Sequence, residues 1–171
     1  MPLKPVLIDI QIIAPSWGRV RGLTKRLTQA TEAVAAHLPR PLSFPFRATL
    51  LLAGDARVRR LNHDFRGQDN VTNVLSFPQF TPEAFPSLKK QKDPVEMGDL
   101  IIAYAYTKKE ARTEGKPFLD HTTHLVIHGL LHLFGYDHTD NAKAARMEKL
   151  EIKILKSLGI GNPYAEGKRA L

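Results

Sequence analysis

Hydrophobic and polar positions follow the two-residue period in the first part of the chain and the helical period in the last. Leu7 to Ile13 alternates and is rich in isoleucine, which predicts a first strand. Pro15 and Ser16 offer a helix start, with Ser16 as N-cap. Val20, Leu23, Leu27, Ala30, Val34 and Leu38 then step by three or four, one helical face closed by Pro39 and Pro41. Phe46 to Ala53 is apolar and bounded by turn residues, a second strand. Gly54 and Asp55 restart a helix with Val58, Leu61 and Phe65 inward, ended by Gly67. Val71 to Phe77 and Gly98 to Tyr104 are β-rich. Residues 78–97 between them carry Pro78, Pro82, Pro86 and Pro94 with Lys89, Lys90 and Lys92, the signature of a long, mobile loop.

Tyr104 to Glu114 is a short helix ended by Gly115. Pro117 fits the first position of a helix that runs to about Phe134, where Gly135 stops it. Asp140 caps a last amphipathic helix whose face is Met147, Leu150, Ile154 and Leu158, and residues 165–171 read as a frayed tail. Strands early and helices late predict an α+β class: one domain over residues 1–164, a small mixed sheet packed with helices.

Composition narrows the chemistry. A chain of 171 residues is one domain by default. It has no cysteine, which excludes a disulfide scaffold, a thiolate nucleophile, a Cys-ligated zinc finger and an iron–sulfur cluster. Any transition metal must be held by imidazole and carboxylate. The apolar run Val6 to Ile13 contains Asp9, is too short to span a bilayer and lacks a signal-peptide cleavage pattern, so the chain reads as soluble and cytoplasmic. The net charge of +8 suits a protein that meets phosphates, and equally a solvated basic surface.

Four of the seven histidines fall within residues 121–132 and a fifth is His138. His128 and His132 are spaced i, i+4, so on a helix their rings leave the same face one turn apart. Gly135 permits a left-handed turn that brings His138 back as a third ligand. Three imidazoles leave a tetrahedral metal one open position for water, the arrangement of a catalytic zinc. His124 lies on the same stripe, but the eight residues to His132 correspond to about 12 Å of helix, too far to share one ion. A supporting or packing role suits it better. Asp137 either orients a ligand imidazole through its free N–H or is a simple turn aspartate. Zinc peptidases of the metzincin type share this spacing, yet they place a glutamate base directly after the first histidine, where this chain has Gly129.

The stretch His124-Leu-Val-Ile-His128-Gly-Leu-Leu-His132-Leu-Phe-Gly135-Tyr-Asp137-His138 closely resembles the signature of the bacterial YbeY endoribonucleases. The resemblance spans roughly residues 45–164 and includes Leu61-Asn62 through Arg66-Gly67, Thr72 to Pro78, Gly98-Asp99, Met147-Glu148 and Pro163-Tyr164. It implies a metal-dependent, single-strand-specific endoribonuclease of ribosomal RNA maturation, acting on the small-subunit 16S rRNA and in ribosome quality control. It assigns one zinc to His128, His132 and His138 and an essential arginine to Arg66, placing His128 and Arg66 at the chemistry. A guanidinium there can fork onto a phosphate. The family pattern has Asp where this chain has Asn73, which puts any carboxylate role there in doubt. Lys89, Lys90 and Lys92 read either as an RNA-contacting flap or as a solvated loop. Phe77 and Tyr136 are stacking platforms for bases or plain core aromatics. A metallopeptidase or other zinc hydrolase is the competing reading.

Overall fold

Two stretches have too little polar surface to stand at the edge of a sheet, and both become inner strands. They are β2 (Phe46–Ala53) and β4 (Val95–Ala103), parallel neighbours in a four-stranded sheet ordered β1-β2-β4-β3 among the described residues. The alternating β1 (Val6–Ile12) pairs parallel to β2 at one edge, and β3 (Val74–Pro78) pairs antiparallel to β4 at the other. The computed structural model describes residues 5–165. Six α-helices complete this part of the chain: α1 (Leu23–His37), α2 (Asp55–Arg66), α3 (Phe85–Leu88), α4 (Tyr104–Thr113), α5 (Phe118–Leu133) and α6 (Asn141–Ser157). The fold is the expected α+β domain with a small mixed sheet.

Side chains of β4 divide between two cores, as the pleat requires. Leu100 and Ile102 join the main core with Leu27 and Val34 of α1, Leu125 to Leu131 of α5, and Met147 and Ile154 of α6. Ile101 and Ala103 enter a smaller core with Val58 of α2 and Leu75 of β3. Helix α5 runs through the centre, with every residue from His121 to Leu131 buried. Such burial is worth about 1.5–3 kcal/mol per large apolar side chain, before the entropy of ordering is subtracted. Gly129 is the close-packing point: a Cβ there would come within 2.8 Å of Leu100 Cδ2 and 3.2 Å of Ser76 Oγ.

Three expectations change. The first helix is not continuous from Ser16. Pro15–Arg19 forms a 3₁₀ turn, Ala14 rather than Ser16 precedes it, and Gly22 at φ +70° restarts the chain as α1. The turn is fixed by Trp17, fully buried, whose Nε1 donates to Ala53 O at 3.0 Å and whose ring stacks on Phe118. Phe65 does not face inward; it is 69% exposed, its ring edge-on to Phe77 of β3. Residues 78–97 are not an open loop: a 3₁₀ turn (Pro82–Ala84) leads into α3, whose Phe85 and Leu88 are buried in the main core, and Val95 already belongs to β4. Spaced prolines broke the apolar period that would have marked these anchors. Of the expected tail, residues 166–171 lie outside the described residues. Among those described, no helix is long and apolar enough to cross a membrane.

Candidate metal centre

His128 and His132 leave the same face of α5, as their spacing requires, with ring centroids 4.5 Å apart. Helix α5 ends at Leu133, and Gly135 at φ +88° turns the chain so that His138 returns against both rings, 5.5 Å from His128 and 5.1 Å from His132. The three rings grade from buried through half-buried to exposed, and one nitrogen from each lies within 4.8 Å of the others. These three residues can hold a metal ion.

The protonation pattern tests that fit. His128 Nδ1 lies 2.6 Å from Glu151 Oε1, and His132 Nδ1 lies 2.8 Å from the Tyr136 carbonyl oxygen. The Glu151 carboxylate and the Tyr136 carbonyl both accept, so each Nδ1 is assigned the N–H and each ring turns its Nε2 toward the other. Those two Nε2 atoms face each other at 3.0 Å. At that distance the two nitrogens must share either a proton or a metal cation. Tetrahedral zinc with bonds of about 2.0–2.1 Å would hold such nitrogens about 3.3 Å apart, so the pair is near its bound geometry. His132 is kept neutral well below the usual range, pushed down to about 4 by burial first and by the neighbouring His128 second.

Glu151 organises the site from behind, and sequence reasoning missed it. It is fully buried on α6, with Oε1 accepting from His128 and Oε2 accepting from His124 Nε2 at 2.8 Å and from the Tyr164 hydroxyl. Burial alone would raise its carboxyl, but the hydrogen bonds and charges of His124 and His128 hold it below the ordinary carboxylate range. The same burial, with the Glu151 charge beside it, pushes the Tyr164 phenol up. His124 is thus tied to His128 through one shared carboxylate. Asp137 faces elsewhere: Oδ1 accepts from Thr139 N–H and Oγ1 at 3.3 and 3.0 Å, making it the cap of its own turn.

Arg66 and the lysines make no hydrogen bond or ion pair with these three histidines. Arg66 is the exposed last residue of α2, before Gly67 at φ +68°, and makes no hydrogen bond or ion pair with any described residue. Its neighbour Arg59 is spent on Asp69, at 2.8 and 3.1 Å. Lys89, Lys90 and Lys92 are exposed just after α3.

Asn73 stands just before β3 inside a second polar cluster. Its Nδ2 donates to Glu110 Oε1 at 2.9 Å, the same oxygen that lies 2.6 Å from His121 Nε2, and its Oδ1 accepts from Val74 N–H. The amide nitrogen supplies a donor that a carboxylate lacks. Asn73→Asp should therefore set two carboxylates against each other and lower stability by about 1–3 kcal/mol, read as a shift in the urea midpoint at unchanged slope. A midpoint at or above that of the parent protein would show that Glu110 does not depend on this donor.

Comparison with known proteins agrees with the local chemistry. The family model described as Endoribonuclease YbeY matches residues 19–159. A protein named Endoribonuclease YbeY from Rhodopseudomonas palustris is 41% identical over 170 residues, 99% of this chain and 96% of that protein. One of the same name from Dinoroseobacter shibae is 45% identical over 152 residues, 85% of this chain and 82% of that protein. In fold, the solution structure of a Thermotoga maritima protein superposes with a TM-score of 0.57 over 95% of this chain and 99% of that one, at 24% identity. With the match running from the 3₁₀ turn through α6, on both sides of the histidine cluster, the chain belongs to the YbeY family of endoribonucleases.

Proposed function

We propose that this endoribonuclease cuts single-stranded RNA in the maturation of ribosomal RNA, at the small-subunit 16S rRNA, and in ribosome quality control. It acts in the cytoplasm, with one zinc ion held by His128, His132 and His138. The observation that carries this reading is the pair of Nε2 atoms converging at 3.0 Å beside an exposed third imidazole. Three neutral imidazoles suit zinc, and nickel, copper or cobalt to a lesser degree of selectivity. When bound, the metal supplies Lewis acidity toward a phosphoryl oxygen and makes water a nucleophile near neutral pH. The protein's own part is orientation: Glu151 and the Tyr136 carbonyl lock the two rings in the tautomer that presents Nε2. In this reading Arg66, which has no carboxylate partner among the described residues, pairs with phosphate oxygens as charge builds on them.

The peptidase alternative meets a steric obstacle. The residue after His128 is Gly129, which supplies no general base, and a Cβ there would have to push Leu100 Cδ2 back from 2.8 Å. Labelled single-stranded RNA and casein, each incubated with and without chelator, separate the readings. Metal-dependent RNA cleavage with intact casein supports the proposal; casein cleavage supports a peptidase; RNA bound but uncut reduces the metal to a structural role. A precursor of the small-subunit RNA then tests the ribosomal assignment.

The +8 charge and the exposed Lys89, Lys90 and Lys92 bear on binding rather than on chemistry. Replacing all three by glutamine should weaken RNA binding and reduce the slope of log affinity against log salt by about 0.7 for each phosphate that is no longer neutralised. An unchanged slope would leave these lysines as plain solvated charge.

A further inference from the structure

A cavity of about 560 Å³ opens directly beside the turn that carries His138. Its walls come from four parts of the chain. Leu42 lies in the 3₁₀ turn after α1, Pro82 and Phe85 in the segment between β3 and β4, and Tyr136 between His132 and His138. Lys143 and Arg146 come from the start of α6. The lining is thus aromatic and aliphatic on three sides, and on the fourth Lys143 and Arg146 stand with the Asp137 carboxylate of the metal turn. The size is that of a site for a small organic ligand, about 300–1,000 Å³.

The walls are held in place. Tyr136 N–H donates to Leu131 O at 3.1 Å and its carbonyl accepts from His132, so its main chain is fixed relative to the metal centre. Gly135 has no Cβ because one would strike Pro82 Cγ at 2.8 Å, which seats the 78–97 segment against the metal turn. The two cations differ in what they already hold. Lys143 Nζ makes only long ion pairs, 3.8 Å to Asp137 and 3.9 Å to Asp140, whereas Arg146 pairs with no carboxylate among the described residues. The Tyr136 hydroxyl likewise has no hydrogen-bond partner among them.

We infer that this cavity is a subsite for one nucleotide of the RNA substrate, its base held flat against Tyr136, Pro82 and Phe85 and its phosphate taken by Arg146 and Lys143. A flat ring with two apolar faces joined to an anion is what one nucleotide offers, and stacking surface beside cations is how single strands are bound. The subsite touches the segment between His132 and His138, so the bound nucleotide flanks the scissile bond. It fixes which phosphate reaches the metal. This inference rests on RNA being cut at the three-histidine centre.

The test is a scan of abasic positions along one single-stranded RNA oligonucleotide, with affinity measured by fluorescence anisotropy on chelator-treated protein. One position should weaken binding to the parent protein by about five- to a hundredfold. At that position, the penalty should vanish in Tyr136→Leu, which keeps the main-chain carbonyl that His132 needs. In Lys143→Gln/Arg146→Gln, both exposed positions, the salt slope should fall while zinc content stays at the parent level, and metal-loaded cleavage should show a raised KM with kcat kept. A flat abasic scan, or a positional penalty undiminished in Tyr136→Leu, overturns the subsite. Because the binding arm needs no metal, it decides this point even if the metal-loaded parent protein cleaves no RNA, an outcome that would count against the proposed function alone.

Discussion

His128→Ala, His132→Ala and His138→Ala should each strip nearly all bound divalent metal from the purified protein and abolish RNA cleavage, while His124→Ala keeps its metal at saturation. The reason is arithmetic of donors. Among the described residues, only these three side chains bring one nitrogen each within 4.8 Å of the others, and removing one leaves two imidazoles and solvent. His124 faces Glu151 instead, and its loss acts through that carboxylate on the orientation of His128. Such indirect losses typically cost about 10–100-fold in metal affinity without removing the site. Glu151→Gln should behave similarly for metal. It should also lose stability, because a fully buried acceptor of three hydrogen bonds becomes an amide that can satisfy them only in part. Metal content by plasma emission, with circular dichroism as the folding control, makes the comparison. If His124→Ala emptied the site as fully as His132→Ala, the assignment of the third ligand to His138 would have to be given up.

What was legible in the sequence was what short range determines. The i, i+4 pair, the glycine turn and the returning histidine all lie within eleven residues of chain, so periodicity and one positive-φ glycine place them together. The cap of α6 at Asp140 and the C-cap of α2 at Gly67 were readable for the same reason. Glu151 was not, because it reaches His128 from 23 residues away, and on α6 it reads as one more acid in a charged helix. Only its place among Met147, Ile154 and Leu155, all buried, gave a signal, a carboxylate on an apolar stripe. The partner of Asn73 was hidden likewise, since Glu110 comes from α4. Phe65 failed in the opposite direction: its helical period points inward, but α2 ends at the very next residue and the sheet beneath it stops at β3, so the ring projects past the edge onto Phe77.

Arg66 is where local structure and proposed chemistry separate most cleanly. Helix α2 is pinned without it: the Gly67 N–H bonds His63 O, the Gln68 N–H bonds Asn62 O, and buried Asn62 donates to Asn70 at 2.9 and 3.0 Å. Removing an exposed, unpaired guanidinium from that helix end costs little stability. Its position still connects to the metal centre. Phe65 leans on Phe77, and the next strand residue inward, Ser76, donates to the carbonyl of Gly129, which follows His128. Arg66→Ala should therefore fold, keep its full metal content and lose RNA cleavage by about 10²–10³, the usual cost of deleting one preorganised charge donor. Arg66→Lys should recover only part of that loss, because an ammonium cannot make the paired contact of a guanidinium. The loss should fall on kcat more than on KM if the charge is met in the transition state rather than in the bound substrate. Cleavage at the parent rate by metal-replete Arg66→Ala would make this arginine a surface residue and assign the charge donor to another group.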